Sequence, residues 1–451
     1  MSATTTKAVA GEPGESWLDR IGIPHSLRWG FLGVLIFMTG NGVESNFIAP
    51  HMTQALGEAG APLVPTIIAM YSLAVLLASY LSGALADLFG PRRVMLLGFL
   101  IWVVFEVAFL WSLSIDSVVM VFVTYFMRGF GFPLFAFAFL VWINAVSPRS
   151  RNGAAVGWFY VMFTGGLPTL GSLFAVVSIP FFGGGSTGEV GSMWASTGLV
   201  TLGFLLAWFG VREPTGRQRL APSGESASEV ITSGLRLTFR EPRVAMGFLV
   251  RLINTAPEFG MFVILPAVIA DDLGWGQSRW LLMTTVVYAG NILFNAAFGT
   301  LGDRWGWTRT VRWFGVVGSA VGLLAWWYVP HMVPAGSDWG YFVSLAAGTV
   351  FGIMLAGFVP MGAIMPALVP EHKGAAMAMY TTAAGGAIFL GTAVVAVVQP
   401  LLGNVGVVWT FVALYASAFV MLHWLKVDQS DEAEMAEASS GHTGEVAYGN
   451  A

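Results

Sequence analysis

The sequence contains no cysteine. That excludes a disulfide framework, a thiol nucleophile and any cysteine-held metal. Charge is scarce as well: Asp, Glu, Lys and Arg make up 10% of 451 residues, where a soluble globular chain carries about 25%. Only three of the charges are lysines, none preceded by glycine, so there is no phosphate loop and no direct ATP drive. The His, Asp and Glu residues nowhere adopt metal-ligand spacing, and no Ser–His–acid arrangement stands out. Neither an enzyme nor a cofactor is expected.

What fills the space is apolar. Hydrophobic residues reach 56%, and the mean hydropathy is +0.73. This composition belongs to a polytopic membrane protein, and the net charge of −4 says less than where the charges lie. The polar N-terminus, Met1 to Asp19, does not read as a cleavable signal. A helix of about 20 apolar residues spans a bilayer. By that measure twelve spans are predicted: 27–51, 63–87, 93–114, 117–146, 153–179, 191–211, 245–270, 279–302, 310–330, 340–368, 374–398 and 404–426. The fold class is all-α, with six-helix halves over 27–211 and 245–426.

Basic residues set the orientation. With both termini cytoplasmic, eighteen Lys and Arg fall inside and only Arg279 outside, leaving Arg128 and Arg251 in the membrane. The expected setting is the cell's inner membrane, as a monomer with no nucleic-acid partner. The 212–244 connection reads as a flexible stretch around Pro222. An amphipathic helix on the membrane face then carries Val230, Ile231, Leu235, Leu237 and Phe239. The acidic tail from Asp428 reads as disordered.

One polar element occurs twice. Gly83, Asp87, Gly90 and Arg93 recur as Gly299, Asp303, Gly306 and Arg309, every pair 216 residues apart. A repeat at half the chain length means two similar halves, and such halves place a binding site at their interface. The paired G-x-x-x-D-x-x-G-x-x-R elements, each between the second and third helix of a half, resemble the major facilitator superfamily. Arg128-Gly-Phe-Gly-Phe-Pro, Ser147-Pro-Arg-Ser-Arg-Asn-Gly and Gly165-Gly-Leu-Pro-Thr-Leu-Gly are further similar to bacterial permeases for ribitol and arabinitol. Leu167 before Pro168 departs from the Gly-Pro pair of drug/proton antiporters.

The resemblance implies a major facilitator fold importing a small polyol with protons by alternating access. It also implies that Asp87 and Asp303 face the N-termini of helices 11 and 5. There they clasp the cytoplasmic side, while Gly83 and Gly299 let helices approach closely. Three rivals stay open: an organic-anion carrier using Arg128 and Arg251, a drug/proton antiporter, and a membrane receptor.

Charges at bilayer depth are functional by default. They are Glu44 in helix 1, Glu106 in helix 3, Arg128 in helix 4, and Arg251 and Glu258 in helix 7. Asn41, Glu44 and Ser45 share a face of helix 1, and Arg251, Asn254 and Glu258 share one of helix 7. These two stripes are the predicted substrate site, with Asn144, Asn291 and Asn295 adding hydrogen bonds. Gly40, Gly42, Pro257 and Gly260 are expected to free backbone groups for the ligand. Trp142, Trp158 and Tyr380 are candidates to stack on a polyol. Glu106 is assigned to Arg128 as a buried ion pair, which leaves Glu44 and Glu258 for ligand and proton.

Overall fold

The computed structural model describes residues 16–115, 117–147, 152–220, 226–369, 373–425 and 427. The expected flexible stretch around Pro222, the acidic tail and most of the N-terminal tail lie outside them. Among the described residues every regular element is helical. Ten runs are long and apolar enough to cross a membrane, and two of these are double-length, Ile48–Phe89 and Ala378–Met421. Each is broken by a glycine at positive φ, Gly57 (59°) and Gly403 (65°). Side-chain-bearing residues avoid that region, so the chain can turn back there.

Among the described residues, splitting these two runs and counting the Arg28–Gly42 helix with Ile48–Gly60 gives twelve crossings. We number them α1 (Arg28–Gly42 and Ile48–Gly60), α2 (Val64–Phe89), α3 (Pro91–Ser114), α4 (Val118–Arg128 and Gly131–Val146) and α5 (Asn152–Thr164 to Gly171–Phe181). Then follow α6 (Gly185–Gly210), α7 (Pro242–Ala267), α8 (Gln277–Trp305), α9 (Trp307–Thr310 to Ser319–Met332) and α10 (Asp338–Leu355 to Met361–Ala367). The parts of Lys373–Met421 before and after Gly403 are α11 and α12. The start of α1 (Arg28) and the end of α12 (Met421) lie on one face, called the terminal side; the opposite face is the far side.

Several helices differ from their expected ranges, each for a local reason. α1 stops at Gly42, and residues 43–47 form turns before it resumes. α6 starts at Gly185 rather than 191, launched by three positive-φ glycines, Gly183 to Gly185. Glu189 thereby enters the span, where it is buried with partners of its own. α5 passes through a π-turn over Gly165–Leu170 around Pro168, which has no N–H to continue the helical ladder.

Glycines set the helix crossings. A Cβ on Gly42 would sit 1.8 Å from the Leu167 carbonyl oxygen, so α1 and α5 touch backbone to backbone. Gly40 and Gly260 are also crowded, by α6 at 2.8 Å and by the Phe411 ring at 2.3 Å. The expectation that they free backbone groups for a ligand therefore fails: they are packing points.

The connection between the halves carries a helix that packs against the bundle on one side. Its helix, Ala227–Arg240, is capped by Ser226, whose hydroxyl accepts from the Glu229 N–H at 3.2 Å. The Ser226 N–H and hydroxyl in turn hold the Glu229 carboxyl below the usual carboxylate range. The helix packs on α11, α7 and α2, burying Leu237 and bonding the Tyr80 hydroxyl to the Ile231 carbonyl. Leu235 and Phe239 remain exposed. Of the apolar residues of this helix, Ile231 and Leu237 turn to the bundle.

Candidate functional site

A central cavity of about 1380 Å³ lies between the halves. Its walls come from both: Glu44, Ser45 and Tyr160 on one side, Arg251, Glu258 and Tyr380 on the other. It reaches the terminal-side ends of α2 (Asp87), α4 (Asn144) and α8 (Gly299).

The far side is shut by contacts between the halves. Glu189 of α6 accepts from His51 Nδ1 at 2.6 Å and from Gln277 Nε2 of α8 at 2.5 Å. Trp280 Nε1 of α8 donates to the Asn46 carbonyl at 3.0 Å, and the Asn46 amide bonds Ser172 of α5. None of these residues was singled out from the sequence. Glu189 and His51 lie 138 positions apart, and no periodicity links them.

Arg128 takes two carboxylates, not one. Its Nε lies 2.8 Å from Glu106 Oε2, and its Nη1 bonds Glu44 Oε1. Arg128 and Glu106 are fully buried and Glu44 nearly so. The Tyr125 hydroxyl donates to Glu44 at 3.2 Å, and the guanidinium sits 4.7 Å from the Trp102 ring. This corrects the expected separation of roles, in which Glu44 stayed free. The turn at 43–47 swings Glu44 out of helical register toward α4. One Glu44 oxygen keeps no partner, and the residue still lines the cavity.

The α7 stripe splits in two. At 100° per residue, Arg251 and Glu258 stand within about 20° of each other, whereas Asn254 is turned about 60° away. Accordingly Arg251 and Glu258 line the cavity, and the Asn254 amide donates to the Gly315 carbonyl of α9. Asn254 is fully buried outside the cavity lining, so its expected place in the substrate site is withdrawn. Thr255, on the Arg251 side, takes its place: it lines the cavity and its hydroxyl accepts from Arg251. Its i+4 spacing from Arg251 was the available signal. Glu258 faces the Tyr288 hydroxyl of α8, a further residue the sequence reading missed.

The remaining positions divide similarly. Asn41, Ser45, Asn144, Asn291 and Asn295 all line the cavity. Asn41 accepts from Trp102 Nε1 at 2.7 Å and Asn291 donates to the Gly352 carbonyl at 2.9 Å, so each amide is partly committed. The Asn295 side-chain oxygen is buried without a partner. Trp158 and Tyr380 border the cavity; Trp142 does not, because its Nε1 is tied to Thr215 at 2.9 Å.

At the duplicated loops, Gly90 and Gly306 end α2 and α8 with φ of 87° and 111°, a conformation glycine adopts without strain. Gly83 and Gly299 do not mediate close packing. A Cβ on Gly83 would meet nothing within 4 Å, and one on Gly299 only Val359, because both border the cavity. Arg93 and Arg309 are exposed. The cations that tie helices here are Arg92, on the Val211 and Trp208 carbonyls, and Arg312, on the Leu422 carbonyl at 2.9 Å. Asp87 lines the cavity mouth, and its carbonyl accepts the Leu220 N–H at 2.8 Å. The Asp303 side chain lies outside what is described, as do those of Asn152 and Lys373.

Comparison with known proteins places this arrangement. The Major Facilitator Superfamily model matches residues 30–275 and 247–447. The D-arabinitol transporter of Klebsiella pneumoniae is 33% identical, over 92% of this chain and 95% of its own. The alpha-ketoglutarate permease of Bacillus subtilis is 34% identical, over 91% and 92%. The crystal structure of a D-xylose-proton symporter superposes with a TM-score of 0.68 at 17% identity, covering 92% of this chain and 99% of that one. Two six-helix halves around one cavity, a family model across the chain and full-length transporter relatives lead to one conclusion: the chain is a transporter of the major facilitator superfamily and not an enzyme.

Proposed function

We propose that the protein imports a small polyol together with protons by alternating access. The observation that carries this reading is the cavity itself, which is walled by both halves and lined with hydroxyl- and amide-bearing side chains. The similarity to the D-arabinitol and ribitol transporters of Klebsiella pneumoniae supports the substrate class. With the charge asymmetry making the terminal side cytoplasmic, the described state faces inward from an inner membrane. Glu258 is the coupling carboxylate, and the unit is a monomer. A thermal-shift panel of pentitols, hexitols, dicarboxylates and lipophilic cations tests the class. Pentitols are expected to raise the unfolding temperature in proportion to occupancy. Stabilisation by lipophilic cations alone would replace polyol import with drug efflux.

In the same reading, Glu189, His51, Gln277 and Trp280 form the outer gate, and Asp87 with Asp303 forms the inner one. A hydrogen bond to a charged acceptor contributes about 1.5–3 kcal/mol, so losing one shifts a two-state gate by about tenfold or more. The cysteine-free chain permits a direct readout. Gln277→Ala is expected to speed labelling of a Ser45→Cys probe by an impermeant maleimide from outside by about tenfold. Asp87→Asn, acting on the opposite gate, should slow it. Labelling rates that ignore both substitutions would remove the gating roles.

A further inference from the structure

The two membrane arginines are treated very differently. Arg128 is neutralised by two carboxylates. Arg251 is almost as buried, at 5% exposed, and lines the cavity, yet no carboxylate stands within ion-pair distance among the described residues. Among the described residues its hydrogen bond goes to Thr255, and its Nε is buried with no partner. The guanidinium is fixed by aromatic faces instead, 4.1 Å from the Phe358 ring centroid and 5.3 Å from that of Tyr380. Cation–π contacts hold a guanidinium in place without using its N–H groups. The α7 carboxylate, Glu258, is seven residues away, about 10 Å along the helix, and engages Tyr288.

A second orphan donor faces the same region from the other half. The Tyr160 hydroxyl of α5 is buried in the cavity wall without a partner, close enough to Arg251 and Tyr380 to interact electrostatically. Two unsatisfied donors, one of them a permanent cation, are costly to keep buried. A ligand group that accepts from both and carries negative charge removes that cost.

We propose that Arg251 and Tyr160 form a carboxylate subsite, so that among small polyhydroxylated solutes the cavity favours those that end in a carboxylate. This rests on the transport reading above and names the substrate class of that same cavity. The hydroxyl chain extends along the Asn291, Asn295 and Glu258 wall, and the carboxylate meets the planar guanidinium fork, which matches it in shape and charge. Because its two donors come from opposite halves, the bound carboxylate also bridges them across the open side of the cavity.

The test compares D-arabinitol with D-arabinonate, two five-carbon chains differing at one end, by calorimetric binding to the purified full-length protein. Arabinonate is expected to bind at least about tenfold tighter, a difference of 1.4 kcal/mol. Arg251→Gln should bring the ratio close to one, and Tyr160→Phe should lower it severalfold. Equal binding of both by the wild type overturns the proposal, whether or not the arginine variant folds. So does a preference that survives Arg251→Gln. Proteoliposome uptake separates the two readings. Acid-selective binding without uptake of either solute sinks transport but keeps the subsite. Arabinitol uptake that arabinonate cannot inhibit keeps transport and sinks the subsite.

Discussion

Arg128→Gln is expected to be the most damaging single change in the chain, costing about 3–5 kcal/mol of stability in detergent. Glu44 and Glu106 are both buried against this guanidinium, and its loss leaves two carboxylates facing each other with no cation between them. Glu106→Gln is expected to be far milder, because Glu44 and Arg128 then remain as a neutral pair. A simple Glu106–Arg128 pair, as assigned from the sequence, would instead predict that Glu106→Gln with Arg128→Gln restores folding better than either change alone. With Glu44 in the cluster, that double variant still buries one lone carboxylate. Removing the third charge with Glu44→Gln should recover stability beyond both. Thermal unfolding of the four variants checks the order, and equal losses for Arg128→Gln and Glu106→Gln would contradict it.

The second large effect is on coupling. Glu258→Gln should retain solute exchange but lose gradient-driven accumulation by at least about an order of magnitude. Glu258 lies about two thirds of the way along α7, lines the cavity, and unlike Glu44 has no cation within ion-pair distance among the described residues. A carboxyl held by a tyrosine hydroxyl and by no paired cation can load and release a proton as the cavity changes sides. Glutamine keeps a group able to face Tyr288 and removes only the titration. Pro257 immediately before it leaves one helical carbonyl without its N–H donor, which loosens the backbone where this exchange occurs. Accumulation that persists in Glu258→Gln, measured as labelled solute against an imposed proton gradient, would move coupling to Glu44 or elsewhere.

The twelve spans, the all-helical class and the superfamily were legible in the sequence, because a bilayer imposes length and polarity on every crossing. The glycines that turn the duplicated loops were legible as glycines of a repeat, since Gly90 and Gly306 occupy a backbone conformation that restricts the choice. Partner choice was not. Asn254 and Thr255 are neighbours in sequence, and 100° of helix rotation decides that one serves α9 and the other the cavity. Glu44 escaped its assignment because a turn at 43–47, invisible to a helical count, redirects its side chain. The far-side closure joins α1, α5, α6 and α8, and nothing local to any of them announces it. Long-range side-chain pairing is a property of the assembled bundle, so spacing within one helix cannot encode it.

The central claim is proton-driven import through the cavity between the halves. Uptake of labelled D-arabinitol and D-arabinonate by proteoliposomes, with and without an inward proton gradient, tests it most directly. The account predicts that at least one of the two accumulates above its external concentration when the gradient is present. An uncoupler should return it to equilibrium. Entry that stops at equilibrium with the gradient intact, or no entry of either solute, would contradict the account.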